Sequence, residues 1–173
     1  MRLTAEEVIA ALHLEPHPEE GGFFRETYRS KENFRPGGPF VGERSHSTGI
    51  YYLLTGETFS AMHRLPGDEM FHFYAGDPVA MLELFPSGES RHTVLGPDVS
   101  TMTFQHVVPG NVWQGSRLIA GGEWALLGTT MSPGFAFEDY EHGSAALLEE
   151  FPSERDAIAA RLREFSGHDS EQK

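Results

Sequence analysis

The stretch that decides the fold is Gly56-Glu57-Thr58-Phe59-Ser60-Ala61-Met62-His63-Arg64-Leu65-Pro66-Gly67-Asp68-Glu69-Met70-Phe71-His72-Phe73-Tyr74-Ala75-Gly76. It holds two short apolar runs, Thr58 to His63 and Glu69 to Tyr74, parted by Pro66-Gly67-Asp68. Proline presets φ for a turn and glycine frees the next residues, so the stretch reads as strand, turn, strand. The same punctuation continues outward. Ser47 to Leu54 ends at Thr55-Gly56, and Val79 to Phe85 lies between Gly76-Asp77-Pro78 and Pro86-Ser87-Gly88. Arg91 to Leu95 ends at Gly96-Pro97-Asp98, Thr101 to Val108 at Pro109-Gly110-Asn111, and Val112 to Leu118 at Gly121-Gly122, before a last run from Trp124 to Met131. Short runs at regular spacing predict an all-β sandwich or barrel of antiparallel strands over 46–131.

The flanks read differently. Residues 4–13 predict a helix, with Thr4 and Glu7 as a capping box, an apolar stripe of Val8, Ile9, Ala11 and Leu12, and Pro16 and Pro18 ending it. Gly21-Gly22 opens a strand-like run from Phe23 to Tyr28, and 30–45, with Pro36-Gly37-Gly38-Pro39, reads as a loop. Residues 144–151 and 153–165 have helical spacing, with Ile158, Leu162 and Phe165 on one face and Ser153 as N-cap; 166–173 is a polar tail. No linker interrupts the chain, so the expectation is one domain over 1–173, with a barrel core at about 21–135 and a helical segment at about 144–166.

Composition excludes several chemistries. Among 173 residues there is no cysteine, which removes disulfides, thiolate zinc sites, iron–sulfur clusters and cysteine nucleophiles. The chain carries 13 basic and 26 acidic residues. Only Arg64, Arg91 and Arg117 are basic within 46–131. Such a surface repels a phosphate backbone and an acidic membrane face, so neither nucleic acid nor membrane is an expected partner. The start, Met1-Arg2-Leu3-Thr4-Ala5-Glu6-Glu7, lacks a signal-peptide pattern, and the expected location is cytoplasmic. There is no phosphate loop or Gly-x-Gly-x-x-Gly pattern, and Ser45, Ser47 and Ser60 lie in no nucleophile elbow.

The chemistry-bearing residues cluster around two turns. His63 and Glu69 flank Leu65–Asp68, and antiparallel strands joined there bring the two side chains together. A histidine beside a carboxylate serves as a general base, shares a metal, or is a hydrogen-bonded pair in a partly buried core. Strand parity puts Glu69, Phe71 and Phe73 on one face and Met70, His72 and Tyr74 on the other. His72 then reaches the cavity only through a bulge, and otherwise faces a subunit interface. Trp113, next to Gln114, stacks on a sugar or aromatic ring or belongs to the core. Glu26 reaches a pocket rim or is an exposed strand position, His17 packs in a Pro-flanked turn, and Gly134 marks a turn needing a glycine conformation.

Gly56…His63…Glu69…Gly76 followed by Pro109-x-Asn111-x-x-Gln114 resembles the paired motifs of the cupin superfamily, including the spacing between them. More narrowly, the chain is similar to the Cupin_5 family. The stretches that carry this are His17 to Ser30, Ser47 to Leu54, His63-Arg64, Asp68 to Pro78, Val108 to Gln114 and Ser132 to Phe135. The resemblance implies a cupin-type jelly-roll barrel with a short N-terminal helix and C-terminal helices. It also implies a homodimer paired through the sheets, with residues 22–29 crossing into the partner. Metal-binding cupins typically use two His and a Glu in the first motif and a third His in the second. The matching positions here are His63, Leu65, Glu69 and Gln114. With two ligands replaced, no cofactor is expected; a metal, if held, would use His63, Glu69 and Gln114.

The family is similar in fold to the epimerases of dTDP-linked sugars, cupins that work without metal through a His base and a Tyr acid. That likeness implies His63 as base, Glu69 as its orienting carboxylate, and Tyr52 or Tyr74 as acid. Glu26, Tyr52, Arg64, His72, Tyr74, Trp113 and Gln114 are the implied ligand-binding residues. Arg64, Arg25, Arg29 and Arg117 are the cations open to a diphosphate, and their scarcity in the barrel weighs against one. The expected function is a metal-independent isomerase or epimerase acting on a small sugar-like or keto compound in the barrel cavity. The alternatives are a non-catalytic ligand-binding cupin and a metal-dependent cupin enzyme.

Overall fold

The computed structural model describes residues 2–163. Helix α1 (Ala5–Leu12) is followed by β1 (Glu15–Pro16), β2 (Phe23–Arg29), β3 (Asn33–Phe34), β4 (Arg44–Ser45), β5 (Thr48–Thr55) and β6 (Phe59–Arg64). Then come β7 (Glu69–Gly76), β8 (Val79–Leu84), β9 (Ser90–Leu95), β10 (Gln105–Val108), β11 (Trp113–Leu118) and β12 (Trp124–Met131). A 3-10 turn (Phe137–Asp139), β13 (Glu141–His142), α2 (Leu147–Glu150), a second 3-10 turn (Pro152–Glu154) and α3 (Arg155–Ala159) complete the described chain.

The strands form two antiparallel sheets, β1-β2-β5-β12-β7-β10 and β13-β6-β11-β8-β9, with β3-β4 as a separate pair. Neither sheet closes on itself, so the expected all-β jelly roll is a sandwich with an interior between its layers. That interior holds Tyr52, Phe71, Phe73, Val79, Met81, Leu95, Val108 and Leu127 at one end, and fully burying each such side chain contributes about 2 kcal/mol. The polar site occupies the other end.

Each outer face has its own cover. Helix α1 lays Val8 and Ile9 on Leu53, Trp124 and Leu126 of the first sheet. Leu147, Phe151 and Ile158 of the C-terminal segment lie on Met62, Leu82 and Leu84 of the second. The capping box forms as read, with the Glu7 N–H donating to Thr4 Oγ1 and the Thr4 N–H to Glu7 Oε2. The helix stops earlier than the prolines would stop it, because His13 takes a left-handed conformation and the Leu14 N–H bonds the Ile9 carbonyl.

Several sequence expectations are corrected. The 30–45 loop contains the paired strands β3 and β4. Ser153 is not a helix cap: it lies inside the second 3-10 turn, and α3 begins at Arg155 without a side-chain cap. Phe165 and the 166–173 tail fall outside the described residues. Gly134 is needed for close approach rather than for a left-handed turn, since a Cβ there would strike the Ser45 hydroxyl and the Thr48 methyl. Within the run 22–29, β2 pairs with β5 of the same chain.

Candidate functional site

Directly opposed residues on neighbouring antiparallel strands share a face, so register alone places the site. On the second sheet His142 opposes His63, His63 opposes Gln114, Gln114 opposes Glu83, and Glu83 opposes Arg91. A row of polar side chains therefore crosses the inner face of that sheet. On the first sheet Glu69 opposes Met131, Met131 opposes Thr48, and Thr48 opposes Arg29. One row further along, Thr129 opposes Ile50 and Ile50 opposes Glu26. A bulge between Glu26 and Tyr28 puts Glu26 and Arg29, three residues apart, on the same face. There the Arg29 guanidinium donates twice to the Glu26 carboxylate, at 2.9 and 2.7 Å.

The two rows of the first sheet floor a cavity of about 50 Å³ whose walls include His17, Glu20, Phe24, Leu65, Phe135, Phe137 and Tyr140, and the row of the second sheet does not line it. His63 and Glu69 do meet, though not as neighbours on a hairpin. Strand β6 lies in one sheet and β7 in the other, so the Leu65–Asp68 turn crosses between layers and the two side chains face one another across the sandwich.

His63 is 1% exposed. Its Nδ1 lies 2.7 Å from the Ala61 carbonyl oxygen. A carbonyl only accepts, so Nδ1 carries the proton and Nε2 keeps a lone pair in the neutral ring. Burial lowers its pKa, against the pull of Glu69, which keeps the ring neutral. Nε2 is buried without a hydrogen-bond partner, and the ring stacks on Tyr140 at 4.7 Å. Tyr140 lines the cavity; His63 lies behind it.

Glu69 lines the cavity directly and accepts a hydrogen bond of 2.7 Å from Gln114 Nε2 across the two sheets. Burial, and then the charge of Glu20, raise its pKa to about 7, against the opposing effects of His63, Thr129 and Gln114. The Gln114 Oε1 and the Tyr140 hydroxyl are likewise buried with no partner. Burial raises the Tyr140 pKa, which keeps its hydroxyl protonated and able to donate.

Glu20 is a site residue that sequence reasoning missed. It sits in the Pro-flanked segment after β1, is 8% exposed, and accepts from the Ser60 hydroxyl. Its carbonyl accepts from the Ala61 N–H at 2.9 Å. The segment dips between the sheets because Gly21 and Gly22 have positive φ and pass so close to the Phe59 and Leu53 carbonyls that a Cβ would collide. His17 anchors it: its Nδ1 accepts from the Glu20 N–H at 2.9 Å, so its proton sits on Nε2. The glycine pair was a visible signal for close approach, but it carried no information on where Glu20 would point. For Tyr140, also missed, the sequence offered no signal.

The remaining predicted residues divide. Glu26 and Gln114 belong to the site. Tyr52 is buried beneath it, donating its hydroxyl to the Gly21 carbonyl at 2.9 Å, and does not line the cavity. Arg64 and Trp113 lie outside: Arg64 pairs with Glu141 at 2.7 and 2.9 Å and covers the Trp113 ring at 4.5 Å. Trp113 packs on the cluster beneath the C-terminal helices, not on a ligand surface. His72 and Tyr74 are on the outer face of the first sheet; the register shift that the β7–β12 ladder makes at Tyr74 does not turn His72 inward. Gln105 donates to His72 Nδ1 at 3.1 Å, and His72 Nε2 donates to Thr130 Oγ1 at 3.0 Å. Among the described residues, no three His, Asp or Glu side chains converge as a metal-binding group.

A two-sheet antiparallel sandwich with polar side chains in its interior defines a cupin architecture. The chain belongs to the Cupin_5 family, whose model, described as cupin superfamily (DUF985), matches residues 6–143. A protein of Shewanella oneidensis of known crystal structure is 35% identical, with a TM-score of 0.84 over 94% of this chain and 99% of that one. A hypothetical protein from Leishmania major is 31% identical, with a TM-score of 0.84 over 94% of this chain and 100% of its own. The crystal structure of a dTDP sugar isomerase from Desulfovibrio desulfuricans shares the fold at 14% identity, with a TM-score of 0.50 over 76% of this chain and 86% of that one. Comparison with curated proteins finds no match.

Proposed function

We propose that this cupin is a metal-independent isomerase or epimerase of a small hydroxy-keto or sugar-like compound, with Glu69 and His63 as its acid–base pair. The observation that carries the reading is Glu69: a carboxyl group facing the cavity with a pKa raised to about 7, near the value at which a group both accepts and returns a proton in neutral solution. The roles inferred from the resemblance are exchanged. Glu69 lines the cavity and takes the proton, while His63, behind Tyr140, is the neutral second acceptor.

In such a reaction the Glu69 carboxylate removes the proton from the carbon beside a carbonyl. The C–H electron pair becomes a C=C bond, and the carbonyl π pair moves to oxygen. The Tyr140 hydroxyl and the His17 Nε2–H are donors on the cavity wall for that oxygen. Gln114 holds Glu69 in place. Returning a proton to either carbon of the enediol regenerates a carbonyl, so no oxidant or reductant is consumed.

The test is proton exchange in deuterium oxide over a panel of small hydroxyketones and ketoses, followed by NMR. Deuterium should enter at the carbon beside the carbonyl and fail to do so with Glu69→Gln and His63→Ala, both still folded by circular dichroism. Ligand-induced thermal stabilisation with no exchange would replace catalysis by binding alone; exchange that survives both substitutions would remove these residues from the chemistry. The homodimer implied by the family would use the outer face of the first sheet, where Met70, Tyr74 and Val107 are partly exposed. A monomer by sedimentation would discard it.

A further inference from the structure

Glu20 and Glu69 are buried carboxylates in one cavity, and among the described residues neither forms an ion pair. A buried carboxylate without a counterion is costly, and it is relieved by a proton or by a cation. Among the described residues that line the cavity, Arg29 is committed to Glu26 and His17 is kept neutral by burial.

The walls are aromatic. Phe135 meets Phe137 at 5.0 Å, Phe137 meets His17 at 6.0 Å, and His17 meets Phe24 at 4.6 Å, with Tyr140 completing the lining. One buried polar atom of that lining has no partner, the Tyr140 hydroxyl, whose oxygen is free to accept.

We propose that the cavity takes the protonated amine of a small organic molecule, a primary or methylated ammonium group, held between Glu20 and Glu69 and boxed by Phe24, Phe135, Phe137 and Tyr140. Carboxylates and the unmet Tyr140 hydroxyl oxygen suit an N–H-bearing cation, and ring faces attract its charge where water is excluded. A bare metal ion has no use for the rings and, among the described residues, finds no set of three His, Asp or Glu ligands. An anion would meet Glu20 and Glu69, and the described lining offers it only Arg29, already paired with Glu26. A volume of about 50 Å³ admits the ammonium head, with the rest of the molecule leaving past the half-exposed Phe137. The inference rests on the cavity being the ligand site, and adds the charge of the ligand.

The test is titration of the full chain with methylammonium chloride, read by thermal unfolding and calorimetry. Potassium chloride, magnesium chloride, sodium acetate and neutral hydroxyacetone at matched ionic strength are the comparison arms. Methylammonium should stabilise the protein above potassium. Its affinity should fall about tenfold in Glu69→Gln. Phe137→Ala, at a half-exposed position that spares the fold, should weaken it about fivefold. Methylammonium without effect, or with equal effect in wild type and Glu69→Gln, overturns the proposal. If hydroxyacetone alone stabilises wild type and loses that effect in Glu69→Gln, the cavity stands as the ligand site and only the cation is refuted. If acetate or magnesium is preferred, the cation inference falls as well, and if every probe is silent both readings fall.

Discussion

Gln114 donates its side-chain N–H to Glu69 at 2.7 Å, and this bond joins the two sheets at the polar end of the sandwich. One residue along the same register row, His63 keeps its Nε2 lone pair unmet. A buried carboxylate held by a neutral amide, rather than by a cation, is left free to change protonation near neutral pH.

That freedom makes stability depend on pH. Between about 4.5 and about 7 the native state holds a proton on Glu69 that the unfolded chain has released. Stability therefore falls as pH rises across this window, by about 3 kcal/mol. Burial and then the charge of Glu20 set that shift, and His63, Thr129 and Gln114, which also face Glu69, oppose it. His63 and His17 act oppositely, because burial keeps them neutral and stability is lost as pH drops below 6.5. Urea unfolding of wild type and Glu69→Gln from pH 5 to 8 separates the two: the difference should grow with pH in favour of Glu69→Gln. Parallel profiles would contradict the assignment.

The wall of the cavity is pinned from outside. Arg44, 3% exposed, bonds Asp139 through Nε at 2.7 Å and the Val41 carbonyl at 2.9 Å, and pairs with Glu138. It thereby holds the 3-10 turn between Phe135 and Tyr140 against the β3–β4 pair. Arg44→Met should cost about 3 kcal/mol, because it strands a largely buried carboxylate. Amide exchange over 136–141 should quicken more than in β5 or β12; uniform quickening throughout would mean the arginine stabilises the fold without holding that wall.

Gly76 and Gly88 both have positive φ, 103° and 88°. A Cβ at Gly76 would strike the Trp124 carbonyl, whereas one at Gly88 meets open space. Gly88→Ala should then cost about 1 kcal/mol of backbone strain, and Gly76→Ala at least about 2 kcal/mol more. Equal losses in denaturant unfolding would show that conformation, not contact, sets both.

Local chemistry made much of this architecture legible. The alternation of β7, with Glu69, Phe71 and Phe73 inward and Met70, His72 and Tyr74 outward, follows from a period of two and appears in the burial of that strand. The Thr4–Glu7 capping box is an equally local device. Turn chemistry also separated the runs that became β5 to β12, within a few residues at their ends. What a local pattern could not give was the partner across the gap. The Leu65–Asp68 turn looks like a hairpin in sequence, and only the sheet order shows that it changes layers.

The sequence by itself determined the strands from β5 to β12, the alternation of faces along β7 and the family motifs, and Glu69 and Gln114 as interior residues were implied only by the resemblance. Tertiary structure alone decided which side chains share the cavity. Glu20 and Tyr140 arrive from irregular segments, where no period links position to direction, and Arg29 joins Glu26 through a bulge that breaks the period. Arg64 and Trp113, beside His63 and Gln114 in sequence, go outward because adjacent residues on a strand face opposite ways. The pKa of Glu69 belongs to the same category: it is set by burial and by Glu20, forty-nine residues away along the chain and beside it only once both sheets have closed over the site.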